Sequence, residues 1–119
     1  MTITRIQVGP RMSQGVIYGG LVYLAGQVAS NAPGGTVPEQ TRDILARIDT
    51  LLTEAGTDKS RVLSATVWLT DIGTFDEMNS VWDGWVATGS TPARACVEAR
   101  LADPRYTVEI AVIAAAGGS

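Results

Sequence analysis

The stretch Tyr106-Thr107-Val108-Glu109-Ile110-Ala111-Val112-Ile113-Ala114-Ala115 is strand-like and apolar on nearly both of its faces. A strand with one face in water alternates between apolar and polar side chains; one apolar on both faces is buried on both. The chain's own helices can cover one face of such a sheet. A second copy of the chain has to cover the other, so the stretch predicts an oligomer. Its one acid, Glu109, stands out against that background.

The preceding run, Thr91-Pro92-Ala93-Arg94-Ala95-Cys96-Val97-Glu98, also reads as a strand. Extended, it sends Arg94, Cys96 and Glu98 to one face and Ala93, Ala95 and Val97 to the other. A guanidinium and a carboxylate on mostly apolar strands are expensive to bury unless paired or used. Arg94 and Glu109 are therefore either a structural ion pair or the polar groups of a small-molecule site. Glu98 shares the Arg94 face and either pairs with it or points outward.

Further out, Ile17-Tyr18 and Leu21-Val22-Tyr23-Leu24 flank Gly19-Gly20, a two-residue hairpin turn. The second arm is expected to run from Leu21 to Val28, and a short strand to lie at Ile3 to Val8. From Pro38 to Ala55 the period becomes helical: Ile44, Leu45, Ile48, Leu51, Leu52 and Ala55 share one face. Pro38 and Glu39 suit the first turn and Gly56 the stop. Arg61 to Leu69 reads as a buried strand. Thr74 to about Ala87 reads as a second helix, with Thr74 and Glu77 as a capping box and Phe75, Met78, Val81, Trp82 and Trp85 as its apolar stripe. Strands and helices intermixed in this way imply an α/β or α+β sheet with two helices on one face.

Composition narrows the function. The 119 residues, 45% of them hydrophobic, suit one domain with a real core. No apolar run approaches the ~20 residues of a membrane span, and no secretory leader is visible, so the expected location is the cytoplasm. A net charge of −3 with scattered Lys and Arg argues against nucleic-acid binding. The chain has no histidine, which removes Ser-His-Asp and Cys-His mechanisms and His-ligated metal sites. Its one cysteine cannot form an internal disulfide. Cys96 reads as a small buried hydrophobe rather than a nucleophile, and Trp68, Trp82 and Trp85 as core or interface aromatics.

Four pieces, Leu24-Ala25-Gly26-Gln27-Val28, Phe75-x-x-x-Asn79-x-x-Trp82, Pro92-Ala93-Arg94-x-Cys96-Val97-Glu98 and Val108-Glu109-Ile110, occur in the order and spacing of one family. In them the chain resembles the RidA (reactive intermediate deaminase A) family, the YjgF-type enamine/imine deaminases. The resemblance implies a chorismate-mutase-like α+β fold and a homotrimer with clefts between subunits. It implies hydrolysis of reactive 2-imino and 2-enamino acids to 2-oxo acids and ammonia, with no metal or organic cofactor. By the same resemblance, Arg94 holds the substrate carboxylate and Glu109 orients or activates water. Cys96, Asn79 and Gln27 would contact substrate. The chain departs from well-known members at Met12, where they carry tyrosine, and at Ala25, where they carry serine. Each change removes a hydroxyl, so a non-catalytic carboxylate-binding or regulatory trimer is the alternative. Ribonuclease activity, ascribed to some relatives, is disfavoured by the acidic charge and the absence of histidine.

Overall fold

Helix α1 (Val37–Glu54) begins at a reciprocal cap. Thr36 Oγ1 accepts from the Glu39 amide at 3.2 Å, and the Glu39 carboxylate accepts from the Thr36 amide at 2.8 Å. Pro38 sits in the first turn, where the missing N–H costs nothing. Just beyond the helix Gly56 takes φ +79°, a left-handed conformation that favours glycine. The buried stripe of α1 is Ile44, Leu45, Ile48, Leu51 and Leu52, as its spacing predicts.

The computed structural model describes residues 1–117. Six strands make one sheet: β1 (Thr4–Val8), β2 (Ser13–Tyr18), β3 (Leu21–Leu24), β4 (Val62–Leu69), β5 (Ala93–Glu98) and β6 (Val108–Ala115), in the order β1-β2-β3-β6-β4-β5. Only β4 and β5 pair in parallel, joined by the crossover through helix α2 (Phe75–Trp85). Both helices lie on one face, where Met78 and Trp82 of α2 and the α1 stripe meet Val22, Val67, Leu69, Val108, Ile110, Val112 and Ala114. Trp85 Nε1 donates to Asp49 Oδ2 at 3.0 Å and ties the helices together. The fold is α+β.

No element among the described residues covers the opposite face. It presents Tyr18, Tyr23 and Val97, 44%, 41% and 45% exposed, together with half-buried Trp68, Ala111 and Ile113. An open sheet face of this kind marks an interaction surface.

Two local expectations need correction. The arm after the hairpin does not run on to Val28: β3 stops at Leu24, and Gln27 rejoins the sheet only as an isolated bridge to Ile110. Between them, Gly26 lies so close to the Glu109 carboxylate that a Cβ there would collide. Nor is there a capping box at Thr74. Its hydroxyl instead donates to the Asp71 carbonyl at 2.7 Å, inside a short 3-10 turn (Ile72–Thr74) capped by Asp71.

This difference between the two threonines is measurable. Thr36→Ala is expected to lower stability by about 1 kcal/mol, and Thr74→Ala by clearly less, in urea unfolding followed by circular dichroism. Equal losses would contradict the capping assignment.

Candidate functional site

Paired residues in adjacent strands face the same side of a sheet, so the register fixes where each polar group points. Arg94 pairs with Ala65, Cys96 with Val67 and Glu98 with Leu69, all helix-side positions. Arg94, Cys96 and Glu98 therefore lie on the helix side, with Ala93, Ala95 and Val97 opposite. On β6 the core residues are Val108, Ile110, Val112 and Ala114. Glu109, between the first two, is on the open face beside Trp68.

Within one chain Arg94 and Glu109 thus stand on opposite faces of the sheet and form no ion pair. The sole salt bridge among the described residues is Arg105–Asp103 at 2.8 Å, where the arginine holds the Asp103 carboxyl at about 2. Glu98 does not pair with Arg94 either. Its carboxylate accepts from the Ile72 amide at 3.0 Å and braces the loop before α2.

Arg94 is held without being neutralised. Its guanidinium lies 5.0 Å from the Trp82 ring and 5.7 Å from the Phe75 ring, and Nη1 donates to Asn79 Oδ1 at 2.8 Å. Phe75, Asn79 and Trp82 fall at i, i+4 and i+7 on α2, one helical face. Such stacking contributes about 0.5–2 kcal/mol and fixes the plane of the group. Among the described residues, Nε and Nη2 meet no protein acceptor. They form an edge of parallel donors matched to a carboxylate. Trp82 is a core residue, as expected, and its ring also serves as this platform, a role that the motif spacing carried.

Cys96 is half-buried next to Arg94. Burial pushes its thiol up and the Arg94 charge offsets this only in part, so it stays protonated at neutral pH. Burial likewise raises the Glu109 carboxyl above its ordinary value. Among the described residues, no group of three or more His, Cys, Asp or Glu is placed to hold a metal ion. No helix among them is long and apolar enough to cross a membrane.

Gln27 is 2% exposed, and its side chain is fully engaged. Nε2 donates to Gln14 Oε1 and the Ala25 carbonyl, both at 2.9 Å, while Oε1 accepts from Arg47 Nε at 3.3 Å. Both Nε2 hydrogens are thus taken within the chain, and the buried side chain braces Ala25-Gly26 from beneath. Met12, at the β1–β2 turn, is exposed.

Comparison with known proteins agrees with this fold. A family model described as endoribonuclease L-PSP matches residues 2–116. A RutC family protein of Haemophilus ducreyi is 47% identical over 113 residues, covering 95% of this chain and 96% of the relative. The RutC family protein YoaB of Escherichia coli K12 is 43% identical over 115 residues, covering 97% and 99%. The crystal structure of NMB1025 from Neisseria meningitidis, a member of the YjgF protein family, superposes with a TM-score of 0.96 at 50% identity, over 100% of this chain and 98% of that one. The protein is thus a small α+β protein with a stacked, unpaired arginine on an edge strand. It belongs to the RutC/YjgF (L-PSP) family.

The raised Glu109 carboxyl has a thermodynamic consequence. The folded protein binds that proton more tightly than the unfolded chain, whose value is near 4.5. Stability is therefore lost as pH rises from about 4.5 through the higher folded-state value, and above it the whole penalty is present. Glu109→Gln removes the penalty. Unfolding curves should show the variant gaining on the wild type as pH rises through that window. A constant difference across the range would rule the assignment out.

Proposed function

We propose that the protein hydrolyses reactive 2-imino and 2-enamino acids to 2-oxo acids and ammonia, in clefts between the subunits of a homotrimer. One observation carries this reading: the Arg94 guanidinium is fixed in plane by Trp82, Phe75 and Asn79, yet keeps a two-donor edge free. A planar anion with a carboxylate is the natural occupant of that edge.

Glu109 is assigned as the group that takes a proton from water as the water adds to the C=N carbon. The resulting carbinolamine loses ammonia, with the same carboxyl returning the proton. An imine is already electrophilic, so holding it by its carboxylate supplies much of the rate through orientation. A carboxyl raised by burial suits the proton transfer. Because Arg94 and Glu109 face opposite sides of one sheet, the site is taken to combine Arg94 of one subunit with Glu109 of its neighbour. The open face bearing Tyr23, Trp68, Ile113 and Val97 is the surface on which neighbours would meet. β5 is an edge strand whose outer backbone groups, Cys96 included, lie along the proposed cleft. Asn79 holds Arg94 and lines the same edge. Gln27 acts one step removed, by holding Gly26 against Glu109.

Two measurements test this. First, Arg94→Lys keeps the charge but loses the fork, and should lower kcat/KM on imino acids generated in situ by about 10–10²-fold. Glu109→Gln should lower kcat by about 10²–10⁴-fold. Second, Arg94→Ala and Glu109→Gln proteins, each inactive, should regain activity when unfolded and refolded together, since mixed trimers then hold an intact site. Absence of complementation in verified mixed assemblies would refute the shared cleft. The non-catalytic reading rests on Met12 and Ala25, which lack the hydroxyls of well-known members. Saturable pyruvate binding by the wild type with no acceleration of imine hydrolysis would select it.

A further inference from the structure

Beside α1, with neither Arg94 nor Glu109 in its lining, a cavity of about 260 Å³ is lined by residues that include Gln7, Asn31, Asp43, Arg47 and Thr50. Asp43 and Arg47 are one helical turn apart, a spacing that normally gives an ion pair. Here they line the same cavity without one, the Arg105–Asp103 bridge being the sole salt bridge among the described residues. Arg47 is half-buried and uses Nε on Gln27 at 3.3 Å, and its terminal nitrogens meet no protein acceptor among those residues. Asp43 accepts from the Asn31 amide at 3.0 Å and from Asn31 Nδ2 at 3.2 Å, one bond per carboxylate oxygen. Each oxygen keeps a lone pair for a further donor. At the rim, Gln7 has φ +50°, left-handed for a residue that is not glycine, and its side-chain Nε2 donates to Glu54 Oε1 at 3.2 Å. Backbone held this way persists where the surroundings enforce it, and such positions gather at ligand sites.

We propose that this cavity is a binding site for a small zwitterion of the α-amino acid type. The carboxylate lies on the terminal nitrogens of Arg47 and the ammonium faces Asp43. Charge selects the class. A simple anion would meet the Asp43 carboxylate, and a simple amine would meet Arg47. A molecule with both charges on neighbouring atoms satisfies each. The volume is near the lower end for small-molecule pockets, which run from about 300 Å³ upward, and so suits an amino acid better than a nucleotide. The cavity has neither Arg94 nor Glu109 in its lining and so is distinct from the proposed deaminase cleft. It touches the inner framework through the Arg47–Gln27 hydrogen bond, which supplies a local reporter.

The test is side-chain ¹H–¹⁵N NMR of the intact protein in an Arg94→Ala background, which removes carboxylate binding at the cleft. L-alanine is titrated, with pyruvate and ethylamine as carboxylate-only and amine-only probes. The expected result is a saturable shift of Arg47 Nε–H and the Gln27 side-chain amide with L-alanine alone. Asp43→Asn, which preserves shape, and Arg47→Gln should each weaken it by about tenfold or more. Pyruvate or ethylamine shifting the same signals equally well, an unchanged titration in Asp43→Asn, or no shift with L-alanine at all would each overturn the proposal.

Discussion

A side chain on a strand faces one side of its sheet or the other, and residues paired across strands share that choice. This constraint governs the whole molecule. Val108, Ile110, Val112 and Ala114 must lie under the helices to make the core, so Glu109 has to lie on the open face. The register then passes from β6 through β4 to β5 and puts Arg94 on the helix side. Slipping β5 by one residue would bring Arg94 to the face of Glu109, but only by burying Ala95 and Val97 in place of Arg94 and Cys96 and dismantling the α2 platform. The chain keeps its core and leaves its two chemical groups apart. A site that uses both needs a second copy.

The platform under Arg94 addresses a different problem. A half-buried guanidinium with a carboxylate partner would be stable but spent, because its donors would be taken. Stacking on Trp82 and Phe75 stabilises the cation through the ring faces and consumes no N–H, while Asn79 takes one donor and sets the angle. What is left is charge in a defined plane with an unused edge. The neighbouring carboxylate that would have neutralised it, Glu98, is instead held by the Ile72 amide. Removing Asn79 would therefore loosen the orientation of the clamp more than its charge.

Much of this was legible in the residues, and the remainder failed for identifiable reasons. Helix α1 announced itself because 3.6-residue periodicity, Pro38 and Gly56 all point to the same segment. The double-sided apolarity of Tyr106–Ala115 announced an uncovered face, and period-two alternation placed Arg94, Cys96 and Glu98 together. The break of β3 at Leu24 was not legible. Beyond it Gly26 packs against Glu109, about eighty residues away in sequence, a contact that no local pattern encodes. Thr74 looked like a helix cap because the pattern Thr-x-x-Glu is local, whereas Asp71 imposes a 3-10 turn that redirects its hydroxyl. The strut role of Gln27 needed Gln14 and Arg47 brought from two other elements, which no local pattern encodes.

The proposed assembly also links binding to proton transfer. Desolvation alone raises Glu109, and covering the open face with a neighbour extends that effect. A neighbouring Arg94 works against it, since a cation within about 4–6 Å favours the carboxylate. With the proposed cleft empty, a neighbouring Arg94 would oppose the desolvation and weaken Glu109 as a base. In the proposed reaction a substrate carboxylate on the Arg94 edge would offset that charge and exclude water, so the opposing influence would fade while desolvation grew. Glu109 would then become more basic as the proposed C=N carbon came beside it. The same guanidinium that positions the substrate would in this way set the strength of the base.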